Sequence, residues 1–264
     1  MPRADLGHIQ LHVRDDGPRD GLPVVFSNAL GTDLRMWDPL LPYLAPGLRV
    51  IRYDRRGHGL SDVPQTPYSM GQLVRDTEAL LDHLNIRACV FVGLSLGGMV
   101  AQGLAVKRPD LIRALVLSNT AARIGTAQMW RDRAAVARTQ GLSALVDATM
   151  ARWFTASFRA SPDLALWRDM FLATPVEGWA GCAEAIAGTD FYSTTAGLKL
   201  PTLGIAGERD GSTPSDLVRE TVDLVAGSEF ALLRRAGHLP HVEHPAAYAE
   251  IFNRFLKTHG LVAE

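Results

Sequence analysis

The chain is short of cysteine, of any excess of charge and of long apolar runs, and each shortage removes a class of protein. Only Cys89 and Cys182 occur among its 264 residues, too few for a disulfide framework at this size, so a reducing compartment fits best. The 27 basic and 28 acidic side chains leave a formal net charge of -1, with no basic field to hold nucleic acid and no polybasic run to hold a membrane surface. No apolar stretch reaches the roughly 18 residues of a bilayer span. Residues 1–13 carry charges and a histidine where a secretory leader needs an unbroken apolar segment. Internal repeats, low-complexity tracts and linkers are missing too. These shortages predict a cytoplasmic protein with a small-molecule partner; oligomeric state leaves no mark in the sequence.

What is present is an alternation of short apolar runs with helical periodicity. The runs fall at 22–27, 49–53, 88–92, 114–118, 202–206 and 230–233. Between them, residues 72–84 place Leu73, Leu80, Leu81 and Leu84 on one face of an amphipathic helix. Continuously apolar strands separated by helices predict a parallel sheet covered on both faces. From about 122 to 195 the pattern is helical only and holds four of the five tryptophans, Trp130, Trp153, Trp167 and Trp179. The expected organisation is an α/β core of residues 1–121 and 196–264, interrupted by a helical cap of residues 122–195.

Gly93-Leu94-Ser95-Leu96-Gly97 reads GxSxG, directly after the run 88–92 and before a helical stretch at 98–106. Ser95 thereby falls on a strand-to-helix turn, the geometry that lifts a serine hydroxyl clear of its backbone. A plain small-residue turn has the same spelling. A nucleophilic serine needs a base and a group to orient that base. Asp210 follows the run 202–206, and His238 follows the run 230–233 within Ala236-Gly237-His238. Both therefore stand at carboxyl ends of strands, where open α/β sheets gather ligand and catalytic groups. Asp210 alone also reads as a turn or capping residue, whereas His241 and His244, beyond Pro240, read as helix-start or surface residues. The order Ser95, Asp210, His238 on loops at one sheet edge is that of nucleophile, acid and base.

With these residues in place the chain resembles the α/β-hydrolase superfamily over nearly its whole length. Asp54-Arg55-Arg56-Gly57-His58-Gly59-Leu60-Ser61 matches that family's DxRGHGxS segment, and Ala236-Gly237-His238 with Glu243 and Pro245 matches its C-terminal histidine segment. Ser27-Asn28-Ala29-Leu30-Gly31-Thr32 occupies the place of its usual His-Gly motif, with Asn28 where a histidine is common. The resemblance implies a mostly parallel eight-stranded sheet flanked by helices, with a helical cap insertion. It also implies backbone N–H groups of Leu30 and Leu96 as the oxyanion donors, a structural rather than catalytic His58, and no metal or organic cofactor.

A narrower resemblance is to 3-oxoadipate enol-lactonases of the β-ketoadipate pathway. It is carried by residues 27–41 (SNALGTDLRMWDPLL), residues 118–126 (SNTAARIGT), Arg152-Trp153-Phe154-Thr155, and Leu172-Ala173-Thr174-Pro175 with Glu177-Gly178. It implies hydrolysis of a small ring ester bearing one free carboxylate, and it makes Asn28 a family trait. Such a pocket needs apolar walls and a cation. In the helix read over 128–140, Arg133 falls within the apolar stripe, either to meet that carboxylate or to snorkel to water. Trp153 and Phe154 either line the pocket or fill the cap's core. The same triad serves carboxylesterases, carbon–carbon bond hydrolases and perhydrolases, and the same scaffold serves as a ligand-binding receptor.

Overall fold

The computed structural model describes residues 3–262. Its strands are β1 (Arg3–Asp5), β2 (Gln10–Asp16), β3 (Leu22–Ser27), β4 (Leu48–Tyr53), β5 (Cys89–Leu94), β6 (Ile112–Ser118), β7 (Thr202–Gly207) and β8 (Glu229–Leu233). They form one sheet in the order β1-β2-β4-β3-β5-β6-β7-β8. The β1–β2 and β2–β4 pairings are antiparallel and every pairing from β4 to β8 is parallel, which is the α/β-hydrolase arrangement. Every residue of β5 and β7 is buried, as expected of strands covered on both faces. The apolar-run reading found six strands and missed β1 and β2. In β2 the buried Leu11 and Val13 alternate with polar neighbours, and Arg14 is exposed, so this part of the sheet has no continuous apolar signature.

Helices α1 (Met70–His83) and α2 (Leu96–Lys107) flank β5 in the chain. The first starts at a capping box: Ser69 Oγ accepts from the Gln72 amide and the Gln72 side chain accepts from the Ser69 amide. The second begins two residues earlier than its periodicity suggests, immediately after Ser95, because Ser95 supplies the non-helical conformation of the N-cap.

Between β6 and β7 all regular structure is helical: α3 (Ala127–Gln140), α4 (Ser143–Trp153), α5 (Ala156–Arg159), α6 (Leu164–Leu172), α7 (Val176–Ala187) and α8 (Tyr192–Thr195). After β7 come α9 (Ser215–Asp223), α10 (Pro240–Glu243) and α11 (Pro245–Thr258). Helix α7 meets the core backbone to backbone, since a Cβ on Gly178 would overlap the Gly57 carbonyl. Arg138 of α3 ties the same helix down through Glu177 and Glu184. His241, the second residue of α10, is fully buried: its Nε2 donates to the Met36 carbonyl at 2.9 Å and its ring stacks on Trp37 with centroids 4.4 Å apart. Among the described residues no helix is long and apolar enough to cross a membrane.

The Gly178–Gly57 contact leaves no room for a side chain. Gly178→Ala is expected to cost about 1–3 kcal/mol by overpacking, seen calorimetrically as a melting point lower by roughly 3–10 °C. A shift below about 1 °C would contradict this close approach.

Candidate active site

Ser95 joins β5 to α2 in a left-handed conformation, φ 57° and ψ -118°, that a non-glycine residue adopts only under constraint. The constraint is visible. The Ser95 amide donates to the Ser118 carbonyl at 3.0 Å, and its own carbonyl accepts from Gly98 N (2.9 Å), Met99 N (3.2 Å) and Thr120 Oγ1 (2.6 Å). A Cβ on Gly97 would overlap the Ser27 carbonyl and come within 2.8 Å of the Asn28 carbonyl oxygen. From Phe91 to Val100, Ser95 is the only residue that is not fully buried. The side chain therefore opens from an otherwise closed core.

Asp210 follows β7 and His238 follows β8. His238 Nδ1 lies 2.8 Å from Asp210 Oδ2, both side chains buried. Asp210 also accepts from Asn119 Nδ2 (2.8 Å), Thr213 Oγ1 (2.7 Å) and the amides of Ser212 (2.7 Å) and Thr213 (3.1 Å). Burial works to raise its pKa, but His238 and these donors outweigh burial and hold the carboxyl below its ordinary value. With the carboxylate ionised, His238 Nδ1 donates and leaves Nε2 as the acceptor. Asn119 was not singled out from the sequence. Its position depends on a bend at φ 44° just after β6 and on the β6–β7 register, which only the fold supplies.

The loop after β3 is anchored at several points. Asn28 Nδ2 donates to the Tyr53 carbonyl and Asn28 Oδ1 accepts from Trp37 Nε1, both at 2.9 Å. The Gly31 amide donates to His58 Nε2 at 2.9 Å. Burial, and then the charge of Arg55, push the His58 pKa down to about 3, so the ring is neutral and its Nε2 lone pair is free to accept. His58 is thus a buttress of this loop and does not line the cavity that contains Ser95. Ala29 and Gly31 have committed their amides; among the described residues those of Leu30 and Leu96 donate to no protein acceptor.

A cavity of about 180 Å³ brings these parts together, lined by Leu30, Ser95, His238, Trp130, Arg133, Arg152, Trp153, Phe171 and Trp179 among others. Phe154 does not line it: this ring packs inside the cap on Phe158 and Trp167, with centroids 4.4 and 5.7 Å away. Trp153, one residue earlier, stacks over His238 at 6.4 Å and 28°. Arg133 lies 5.0 Å from the Trp130 ring centre. Arg152, which residue-level reading left without a role, enters the same cavity and donates to Thr149 Oγ1 at 3.3 Å. Burial lowers both guanidinium pKa values, and Arg152 lowers that of Arg133 further. Among the described residues neither arginine pairs with a carboxylate.

The cap holds the histidine loop through its main chain. The His238 amide donates to the Trp153 carbonyl at 2.7 Å and the Gly211 amide to the Arg152 carbonyl at 3.1 Å. Glu243 accepts from the Gly237 amide at 2.7 Å and the Thr155 amide at 3.3 Å.

Fold and site together define an α/β hydrolase, and residues 23–245 match the alpha/beta hydrolase fold family; the chain belongs to it. Within that family it is similar to 3-oxoadipate enol-lactonase 2 of Acinetobacter baylyi, 36% identical over 252 residues that cover 94% of each chain. It is also similar to an enol-lactonase of Burkholderia xenovorans, whose crystal structure superposes with a TM-score of 0.93 at 41% identity, covering 97% of this chain and 100% of that one. A malate-bound thermophilic esterase of Thermogutta terrifontis follows with a TM-score of 0.89 at 30% identity, covering 95% and 94%.

His58 and His241 are both pushed down to about 3 from an ordinary 6.5. Below pH 6.5 the unfolded chain takes up protons on these rings while the native protein does not, so stability falls with pH from 6.5 toward 3. At pH 5 the loss is about 2 kcal/mol for each ring. Urea unfolding at pH 7 and pH 5 measures it, and His58→Asn should remove roughly half of the two-histidine loss. An equally steep fall in that variant would contradict the assignment.

Proposed function

We propose that this protein is a serine hydrolase that opens a small carboxylate-bearing lactone, the enol-lactone of 3-oxoadipate, to 3-oxoadipate. The observation that carries the substrate is the pair of guanidinium groups, Arg133 and Arg152, in the Ser95 cavity without a protein carboxylate. Two half-buried cations without counter-charge are matched by an anionic ligand. The apolar remainder of the wall suits a small ring.

In this reading His238, oriented by Asp210, removes the Ser95 proton as Oγ attacks the lactone carbonyl. The amides of Leu30 and Leu96 receive the oxyanion; both donors are fixed before reaction, one by the anchored loop and one by the start of α2. The tetrahedral intermediate collapses with expulsion of the ring oxygen as an enolate, which becomes the ketone on protonation at carbon. Water activated by His238 then releases the acyl group from Ser95. Trp153, stacked over His238, shields the imidazole on its cap side.

Ser95→Ala is expected to lower enol-lactone turnover by at least about 1000-fold, followed as ultraviolet loss of freshly generated lactone, and to abolish labelling by a fluorophosphonate. Arg133→Ala and Arg152→Ala should each raise KM for the lactone roughly tenfold or more relative to a neutral aryl ester. Near-normal lactone turnover by the Ser95→Ala protein would end the catalytic reading; equal losses on charged and neutral substrates would remove the arginines from carboxylate binding.

A further inference from the structure

The two oxygens of Asp210 are engaged differently. Oδ1 takes the amides of Ser212 and Thr213 at 2.7 and 3.1 Å. These bonds close the turn of the acid loop, and main-chain donors survive any change of side chain. Oδ2 takes three groups: His238 Nδ1 at 2.8 Å, Thr213 Oγ1 at 2.7 Å and Asn119 Nδ2 at 2.8 Å. A carboxylate oxygen offers about two lone-pair directions, so the imidazole competes with two neutral donors for the charge of the one oxygen that holds it.

Of the two neutral donors, Thr213 belongs to the acid loop itself and Asn119 arrives from β6. Asn119 stands one residue past that strand, fully buried, in the left-handed region at φ 44°, with its amide on the Ile205 carbonyl at 2.8 Å. Asparagine tolerates such a backbone better than most side chains do. Its partners fix which way the side-chain amide points. Ser118 Oγ donates to Oδ1 at 3.2 Å, whereas Nδ2 faces the Asp210 carboxylate and, at 3.4 Å, the Gly237 carbonyl, neither of which can donate. The Gly237 carbonyl is itself held in place, since a Cβ on Gly207 at the end of β7 would overlap it. One side chain thus ties the end of β6 to the acid loop and to the residue immediately before His238.

We propose that Asn119 is a positioning residue of the triad with two effects on His238: it aims Asp210 Oδ2 at Nδ1, and it draws from that oxygen negative charge that would otherwise hold the imidazolium. This rests on Ser95 as the nucleophile and not on the identity of the lactone. A donor that stabilises a carboxylate leaves it a weaker partner for a neighbouring cation, so loss of the Asn119 amide favours imidazolium over the free base. Burial works against the ionised form of Asp210, while His238 and then Asn119 work for it. The other charged or titratable groups about His238 are His241 and Glu243 of α10 and, in the cavity, Arg133 of α3 and Arg152 of α4. None of these bonds to Asn119.

Asn119→Gly removes the donor and leaves a residue at ease with positive φ. The acid limb of kcat/KM for 4-nitrophenyl acetate should move to higher pH by about 0.5–1 unit, and the plateau should fall roughly tenfold, through kcat. The rate of Ser95 labelling by a fluorophosphonate should follow the same displaced limb. Thr213→Val, which removes the other neutral donor to Oδ2, should move the limb in the same direction. Where the glycine protein folds poorly, Asn119→Ser takes its place, because its hydroxyl ends one bond short of the amide nitrogen. A lower plateau on an unmoved limb is the mark of a purely structural residue and overturns the inference, as does a limb displaced to lower pH. Wild-type protein that neither hydrolyses the ester nor labels at Ser95 overturns the nucleophile reading itself, a result distinct from both.

Discussion

One close contact orders this molecule: the turn that carries Ser95 lies directly on the end of β3, with Gly97 against the Ser27 carbonyl. Strands β3 and β5 are parallel neighbours in which Ser27 pairs with Gly93, so both chains leave the sheet at the same height. The proposed nucleophile and the loop bearing the Leu30 amide must then share one small volume. The register continues outward through Leu94 opposite Ser118, Ser118 opposite Ile205 and Gly207 opposite Leu233. Asn119, Asp210 and His238 stand just beyond the last pairs. The sheet acts as a ruler, and chemically capable side chains collect at one of its edges because the strands end together.

Charge is handled in opposite ways by two adjacent arginines. Arg56 is neutralised by Asp76 through bonds of 2.6 and 2.7 Å and lies 5.4 Å from the Tyr68 ring centre. Arg55 is fully buried; its Nη2 donates to the Asn28 carbonyl, and its Nε and Nη1 have no acceptor among the described residues. A cation left unneutralised in a low-dielectric interior is expensive, but here it has a definite effect on its neighbour. It opposes protonation of His58, and a neutral His58 is what the Gly31 amide requires. The loop beside the cavity is thus held in shape partly by electrostatic repulsion one layer below it.

Much of the core architecture can be read from the residues because burial on both faces writes continuous apolar runs, as in β5 and β7. In β2 the buried His12, a polar residue, stands between Leu11 and Val13 and breaks any such run, and that strand accordingly escaped notice. Ser95 and Asp210 each stand after such a run and His238 after the apolar but half-exposed β8, so their shared address is visible before any coordinates. The walls of the cavity are less legible. Trp153 and Phe154 are sequence neighbours of similar character, yet at the end of α4 one faces His238 and the other faces Trp167. Arg152 carries no periodic signal marking it as a cavity residue rather than a solvated one, and Asn119 depends on a backbone bend and a strand register. His241 is buried by Trp37, a residue some two hundred positions away in the chain. Such facts arise from long-range packing and leave no local trace.

The hold of the cap on the histidine loop is made by carbonyls, those of Arg152 and Trp153, and not by their side chains. Every amino acid brings the same carbonyl. Residues 152 and 153 can therefore be exchanged for others, reshaping the mouth of the cavity, while the amides of Gly211 and His238 keep their partners. Placement of the His238 loop and the shape of the cavity mouth are thus set by different atoms of the same two residues. A lineage can explore new ligands there without first loosening the machinery that would act on them.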